Sequence, residues 1–419
     1  MLLNLLLFTF WMLILIPSAV DGGLSVRVGA YDLKYSYFFC FISFVIFFLK
    51  SKKSLFISKI KLWFNPNIVF FALLFIGVGL FGIIHSSFPE RVFLYWLWST
   101  LTMLFVPFLI HLFQIQLNKW VGRSIIFYLL IQSLVVLIDA VICIPSEGKY
   151  HIGNVMVYLY ASTQKLCRPS AFYQEPGYFC VFALLGALFT RFFLSIEKKY
   201  FHKFYFLIYI IALTAVALSL SRMGWLGVSL LVFWEIFNFS KSKFKLNISF
   251  KKNLIFFIPI FVIVFLLFTQ GGLIYRYLGS PWKETDGGMM ARLNSLKNSL
   301  VVFKENPLLG VGPGGTGAYI LDHQDKLGTS MLPHMRNEPI AQNLYSELLS
   351  EWGLMGFIFF SLFLYLTLLQ LDIKLRKILL CLLLVIYSST QTLPRFDIWL
   401  MIGAFLSYFR TKKAIHHVE

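Results

Sequence analysis

The sequence predicts an all-α polytopic integral membrane protein with about 12 transmembrane helices and one large loop on the outer side. Of its 419 residues, 58% are hydrophobic and only 13% are charged. An ordinary soluble domain has roughly 45–50% apolar and about 25% charged residues. A membrane-spanning helix takes about 20 residues, so the apolar content is enough for about twelve spans. This composition excludes a soluble enzyme, a nucleic-acid-binding protein and a disordered protein.

Uninterrupted apolar runs separated by polar segments divide the chain. We interpret each run as a helix, because lipid tolerates no unpaired backbone hydrogen-bonding groups. The runs lie at about 2–20, 35–49, 67–84, 92–117, 124–144, 171–190, 204–220, 223–239, 253–270, 353–371, 378–393 and 397–409. The first run has no basic residue before it and leads into further spans, which favours a retained helix over a signal peptide. We expect one membrane domain, 1–419.

Basic residues concentrate in alternate gaps between these runs. One set of gaps and the tail hold 22 Lys and Arg against four acids, whereas the rest of the chain holds 15 of each. The positive-inside rule places the basic set, and with it both termini, in the cytoplasm. The net charge of +18 therefore orients the protein and contacts anionic lipid, and it indicates no nucleic-acid partner.

The one long loop, 271–352, is the first place to look for chemistry, because long loops without a function are uncommon. Residues 290–305 read as an amphipathic helix that Asn306-Pro307 stops. Its two faces are Leu293, Leu296, Leu300 and Phe303 on one side and Arg292, Ser295 and Ser299 on the other. The glycine-rich segment 308–315 cannot be regular structure and predicts a tight backbone path.

A second helix is expected to begin near Gln342 and to run without a break into the next span. It places Asn343, Glu347 and Glu351 four residues apart, as a polar stripe that faces away from neighbouring leucines. This stripe puts two carboxylates near the membrane surface.

Ionisable groups near membrane depth are costly and therefore become functional hypotheses. Arg222 lies between two apolar runs with almost no room for a loop, where it is either an interfacial anchor or a phosphate clamp. Glu175 precedes Pro176 at the entry of a span, so its carboxylate either points inward or forms an ion pair that holds the bundle. Asp139 is expected to be structural.

The loop histidines and possible metal ligands give weaker signals. His334 is either simply solvated or a proton acceptor, and His323 is a weaker candidate. Glu284 and Asp286 read as an ordinary turn, so a divalent-metal site has little support. The five cysteines show no metal-ligand spacing, and Cys143 and Cys167 are either a disulfide on the outer side or isolated small hydrophobes.

Three segments, taken in order, form a pattern that is weak in each part and fairly specific together. They are Ser221-Arg222 with Gly224-Trp225, then Arg292–Leu296 with Asn306–Gly312, and then Gln342–Tyr345 with Glu347–Gly356. The stretch from Arg168 to Glu175-Pro176 also fits. This order resembles the O-antigen polymerase and O-antigen ligase superfamily of bacterial inner membranes, mainly over 168–356.

The resemblance implies a metal-independent glycosyltransferase of the C-type membrane (GT-C-like) architecture with no cofactor, its large loop in the periplasm. It also implies an undecaprenyl-pyrophosphate-linked glycan as donor and acceptor, with membrane lipid and a chain-length regulator as further partners. Family members hold the pyrophosphate with arginines that correspond to Arg222 and Arg292. Arg168, Asn343 and Tyr345 complete the predicted substrate-binding set.

The general base is the part of the site that departs from the family pattern. Family members commonly place a histidine where this chain has Gln342, and a glutamine cannot take a proton. Glu175, His334 and Glu347 are the remaining candidates, in that order. The departure favours a polymerase of O-antigen repeat units over a ligase that transfers the glycan to lipid A-core. A flippase or transporter and a purely structural membrane scaffold are the alternatives from other classes.

Overall fold

The computed structural model describes residues 2–19, 25–28, 31–50, 65–143, 169–173, 176–197, 199–219, 221–241, 287–323, 343–389, 393 and 395–409. At some positions within these ranges, Arg292 among them, only the backbone is described. The predicted run 253–270 lies outside the described residues.

The described chain is helical apart from one short hairpin. The elements before residue 150 are α1 (Leu2–Ala19), β1 (Ser25–Val28), β2 (Tyr31–Lys34), α2 (Tyr35–Lys50), α3 (Pro66–His85), α4 (Pro89–Thr100), a π-helical turn (Leu101–Phe105), α5 (Val106–Leu117) and α6 (Lys119–Cys143). Those after it are α7 (Pro176–Phe193), a 3₁₀ turn (Lys199–Phe201), α8 (His202–Leu218), α9 (Arg222–Lys241), α10 (Gly287–Glu305), α11 (Thr316–Asp322), α12 (Leu344–Glu347), a second π-helical turn (Leu348–Trp352), α13 (Gly353–Leu369), α14 (Ile373–Tyr387) and α15 (Phe396–Phe409). The strands β1 and β2 pair antiparallel, with Ser25 opposite Lys34.

Six helical segments in this part of the chain are long and apolar enough to cross a membrane. They are Pro66–His85, Pro89–Ile115, Lys119–Ile142, Pro176–Phe193, Lys199–Leu218 and Leu344–Leu369. Shorter apolar helices occur at Leu5–Leu15, Phe38–Phe47 and Phe396–Phe409. A polytopic helical membrane protein is therefore confirmed.

Every predicted apolar run within the described ranges overlaps a helix, and the largest boundary errors are the starts of the runs 124–144 and 171–190 and both ends of the run 378–393, which is the helix Ile373–Tyr387. The run predicted at 171–190 begins as a helix only at Pro176. Before it, the Tyr173 amide donates to the Ser170 carbonyl at 3.0 Å, and Ala171 has φ of +52°. Proline is favoured in the first helical turn because its missing amide hydrogen would have no partner there. Ala171 and Tyr173 are therefore buried in a turn, whereas Phe172 between them is exposed.

At one end of the bundle, hydrogen bonds link the residues around Asn118, Glu197 and Tyr408. The charge pattern predicts that these three regions lie on the same side of the membrane. The Arg123 guanidinium binds the buried Glu197 carboxylate through two bonds of 2.9 and 3.1 Å. The Lys119 ammonium donates to the Ile196 carbonyl at 2.7 Å. The Tyr408 hydroxyl bonds to Asn118. We call this the basic end; paired charges of this kind avoid leaving a carboxylate alone in a low-dielectric region.

An apolar cavity of about 160 Å³ lies between α3, α5, α13 and α15. Its walls include Ala72, Pro107, Phe363 and Trp399, and Thr367 and Gln370 supply its polar atoms. None of the predicted site residues whose side chains the structure describes lines it. The cavity is therefore separate from the predicted chemistry.

Candidate functional site

The glycine-rich segment 306–315, here called the glycine loop, follows a path that only glycine permits. Gly310, Gly312 and Gly314 have φ of +68°, +91° and +68°. A side chain at Gly312 would place its Cβ 2.7 Å from Val92, and one at Gly314 would place it 2.7 Å from the Tyr95 ring. Positive φ and close approach both require the absence of Cβ. The predicted tight backbone path is what the structure contains.

The glycine loop binds to the helical stretch 344–352, which leads into α13 and is here called the interrupted helix. Residues 348–352 form a π-helical turn, and Gly353 then takes φ of +64°. The Val311 amide donates to the Ser350 carbonyl at 3.0 Å, and the Gly312 amide donates to the Glu351 carbonyl at 2.9 Å. The loop thus satisfies carbonyls that the interrupted helix leaves without an intrahelical partner.

Two bonds in the opposite direction complete this junction. The Leu354 amide donates to the Pro307 carbonyl at 2.8 Å, and the Met355 amide donates to the Leu308 carbonyl at 3.2 Å. These are first-turn amides of α13, which have no carbonyl within their own helix. The prediction of an unbroken helix from Gln342 into the next span was wrong, because the glycine loop compensates the break with tertiary hydrogen bonds.

Glu351 holds the Gly314 peptide from one side and Arg91 holds it from the other. The Gly314 amide donates to Glu351 Oε2 at 2.6 Å, and Arg91 Nε donates to the Gly314 carbonyl at 2.9 Å. Glu351 is buried, and the opposite charge of Arg91 attracts it. Next to them, the Thr316 and Ser350 hydroxyls bond at 2.8 Å. The buried carboxylate is thus compensated by a charge and a backbone donor.

Glu347, one turn before Glu351, is fully buried. The Tyr95 hydroxyl donates to Glu347 Oε1 at 2.7 Å. Tyr95 itself is half-buried. The bond ties α4 to α12 across a sequence separation of 252 residues.

Asn343 and Tyr345, predicted to bind substrate, have structural bonds. Asn343 Oδ1 accepts from the Ser346 amide at 2.8 Å and so caps α12. The Tyr345 hydroxyl donates to the Leu384 carbonyl of α14 at 3.3 Å. These bonds fix the start of the interrupted helix against α14.

Arg222 is the first residue of α9 and is exposed. The preceding helix ends at Leu218, so the connection is as short as predicted. The Trp225 indole donates to the Ala217 carbonyl at 2.8 Å across this junction. Cys180 and Ser219 contact each other beneath it, with their side-chain atoms 3.0 Å apart. The buried layer fixes the backbone, and the arginine side chain extends from it.

The Arg222 junction, α10, the glycine loop and the interrupted helix all fall within one segment that matches a known family. Residues 207–361 match the family model described as O-antigen ligase. This segment, less than half of the chain, is therefore similar to the O-antigen ligase and polymerase superfamily. A comparison with curated proteins finds no match. Members of this superfamily are enzymes of the glycosyltransferase type that act on lipid-linked glycans in the bacterial membrane, and the chain is accordingly a bacterial membrane protein.

Several predicted site residues of this chain lie outside the described residues. Arg168, Glu175 and His334 are among them, as are Glu284 and Asp286. Arg292 lies on α10, but its side chain is not described, so its separation from Arg222 stays untested. The proposed pair of Cys143 and Cys167 is also outside the described side chains. In the part that the structure describes, no group of three His, Cys, Asp or Glu side chains could hold a metal ion.

Sequence reasoning missed Arg91 and Tyr95 as members of this network. They lie at i and i+4 in Pro89–Thr100, so they share one face of α4. Their signal was a pair of polar side chains at the start of an otherwise apolar run. Glu351 was recognised only as part of the polar stripe, whereas the structure makes it the anchor of the glycine loop.

Proposed function

We propose that this chain is an O-antigen polymerase, which joins undecaprenyl-pyrophosphate-linked repeat units at the periplasmic face of the inner membrane. The observation that carries the proposal is Gln342, where the family commonly has a histidine. A glutamine side chain cannot accept a proton, so a mechanism that depends on that base is closed to this chain. The ligase is the alternative, because the matching family model is described as O-antigen ligase.

Arg222 is proposed to hold the donor pyrophosphate together with Arg292 and Arg168. Arg222 is exposed at the first position of α9, where the helix dipole also favours an anion. A guanidinium binds phosphate through two parallel hydrogen bonds and keeps its charge at any physiological pH. Such groups can stabilise the charge that develops on a leaving pyrophosphate in the way a metal ion would.

The glycine loop is proposed to set the distance between the halves of this site. It connects α10, which carries Arg292, to the interrupted helix, which carries Asn343, Tyr345 and Glu347. The four backbone bonds between residues 307–312 and 350–355 restrict motion between them. A rigid connection lowers the entropic cost of aligning donor and acceptor.

In the proposed reaction, a sugar hydroxyl of the acceptor attacks the anomeric carbon of the donor. A new carbon–oxygen bond forms, the bond to the pyrophosphate breaks, and the hydroxyl proton passes to a base. Glu175, His334 and Glu347 are the candidates, with Asn343 and Tyr345 as substrate contacts. Glu347 is fully buried behind the Tyr95 hydroxyl, so it would receive the proton through Tyr95.

The proposed architecture is a single membrane domain, 1–419, with about twelve spans and a GT-C-like arrangement, consistent with about 20 residues per span. Residues 271–352 would form a periplasmic loop that carries part of the site. Both termini and the basic end would then lie in the cytoplasm, which agrees with the concentration of Lys119, Arg123 and Lys374 on that side. A chain-length regulator stays a prediction from the resemblance.

Deletion of the gene, followed by gel analysis of lipopolysaccharide, tests the polymerase assignment. A core that bears a single repeat unit supports it. A bare core with lipid-linked polymer retained in the membrane indicates a ligase, and repeat units accumulating on the cytoplasmic face indicate a flippase.

Complementation of the deletion tests the arginine clamp. We expect Arg222→Ala to abolish polymer and Arg222→Lys to restore little, because a lysine lacks the two-pronged donor geometry. The matched control is Lys374→Ala, which should leave the polymer ladder intact. Lys374 is also an exposed basic residue, and it lies at the start of α14, on the side predicted to be cytoplasmic. Full-length polymer from Arg222→Ala, with normal amounts of protein in the membrane, would contradict the clamp.

A further inference from the structure

Helix α10 packs against the bundle with its small polar face and leaves its leucines exposed. Ser295, Ser299 and Val302 are 8%, 1% and 0% exposed, whereas Leu293, Leu296 and Leu300 are 40%, 37% and 41% exposed. This is the reverse of a surface helix on a soluble protein, which buries its apolar stripe. The serine face rests on residues 344–352 and on α11.

The exposed side of α10 is divided between apolar and basic residues. At 100° per residue, the three leucines occupy one edge of the exposed arc, and Lys297 and Lys304 occupy the adjacent edge. A leucine edge beside a lysine edge is the pattern of a helix that lies at a membrane surface, with leucines among acyl chains and lysines among phosphate headgroups. Water would leave the leucine edge unfavourably hydrated.

The chain that follows α10 leads directly to an exposed apolar surface of a candidate membrane span. The helix ends at Glu305, and three residues later Leu308 bonds to Met355 at the start of α13. Leu308 is 62% exposed, and Met355 and Ile358 of the membrane-spanning segment Leu344–Leu369 are 40% and 44% exposed. Exposed apolar side chains of a spanning helix face acyl chains. Leu308 therefore joins the end of α10 to the exposed apolar start of α13.

We infer that α10 is an interfacial helix whose Leu293, Leu296 and Leu300 lie in the bilayer, with Lys297 and Lys304 at the phospholipid headgroups. Its buried serine face holds it to the interrupted helix, and its leucine face fixes its depth in the membrane. The inference concerns a lipid-contacting surface and does not depend on the proposed polymerase activity.

Site-specific photo-crosslinking of the full chain in native membranes tests this inference. A benzophenone amino acid replaces Leu296 or Leu300 in separate variants. The matched control is the same substitution at Asn298, which the helical period places on a different side of α10. The reference for lipid contact is Ile358. After illumination, mass spectrometry of the labelled peptide identifies the adduct.

We expect phospholipid adducts at 296 and 300 at a level near that of 358, and several-fold fewer at 298. Equal adduct levels at 296, 298 and 300, all far below 358, would show that the helix lies in water and would overturn the inference. Crosslinks to protein would show that another chain covers the leucines, with the same consequence. Adducts with the mass of a polyprenyl phosphate in place of phospholipid would assign the face to substrate and would also overturn it.

A second measurement protects the test against misfolded variants. The double variant Lys297→Glu/Lys304→Glu changes only exposed side chains, so it should fold normally. Anionic headgroups would repel it, and the phospholipid adducts at 296 should fall several-fold while those at 358 stay constant. Unchanged adducts at 296 would contradict the placement of the lysines at the headgroups.

Discussion

Substitution of Gly310 by alanine tests whether the glycine loop must lie against the interrupted helix. Gly310 has φ of +68°, and an alanine Cβ there would lie 2.5 Å from the Glu351 carbonyl oxygen. The left-handed conformation costs a residue with Cβ about 1–2 kcal/mol. Overpacking of a close contact adds about 1–3 kcal/mol, and here the clashing atom belongs to backbone, which cannot rotate away. We expect a loss of about 2–5 kcal/mol in the free energy of unfolding.

The matched control is Gly77→Ala in α3, where an added Cβ meets nothing within 4 Å. Alanine in a helix interior is favoured over glycine by about 0.5–1 kcal/mol, so this variant should be slightly more stable. Denaturant titration of the purified chain in mixed micelles measures both. If Gly310→Ala unfolds at the same denaturant concentration as Gly77→Ala, the loop can move away from the helix and does not fix the site.

Three further predictions concern the same end of the bundle. Tyr95→Phe removes the hydroxyl that donates to the buried Glu347, so the free energy of unfolding should fall by about 1–3 kcal/mol; a combined Tyr95→Phe/Glu347→Leu variant should be less destabilised than the sum of the single variants. Glu351→Leu should destabilise the protein more than Glu351→Gln does, because a glutamine oxygen can still accept from the Gly314 amide. Leucine removes both the acceptor of that amide and the negative charge that faces Arg91. Equal losses of unfolding free energy in the same titration would assign no role to the amide bond. Burial, and then the hydrogen bond to Glu305, raise the pKa of Tyr319 above its ordinary value of 10.0. Stability from this tyrosine is complete below pH 10 and is lost as pH rises through the folded-state pKa, so Tyr319→Phe should flatten the alkaline decline, and an unchanged decline would exclude its contribution.

The membrane helices could be predicted from the sequence because their signal is local. Apolar runs of sufficient length form helices in lipid regardless of tertiary context, and prolines at 66, 89 and 176 mark three of the starts. The interruption at 348–353 could not be predicted in this way. The pattern of residues 343–353 fits a continuous amphipathic helix, and the hydrogen bonds that compensate the interruption come from the glycine loop, about 40 residues away in the sequence.

In the candidate site, too, local features could be predicted from the sequence and tertiary partners could not. The unusual composition of 308–315 and the short connection before Arg222 are visible in the sequence, and both are present in the structure. The partners of these segments are not visible. Arg91 and Tyr95 lie more than 200 residues from the groups that they bind, so their own neighbourhood does not indicate which groups those are. Folding brings α4 against the glycine loop, and the pairing follows from that contact.

Reconstitution of the purified chain with undecaprenyl-pyrophosphate-linked repeat units as the only substrate tests the proposed polymerase activity most directly. We expect glycans that lengthen by whole repeat units, with one undecaprenyl pyrophosphate released for each new bond and no requirement for lipid A-core. Products that appear only after lipid A-core is added, each carrying a transferred glycan, would contradict it and would identify the chain as a ligase.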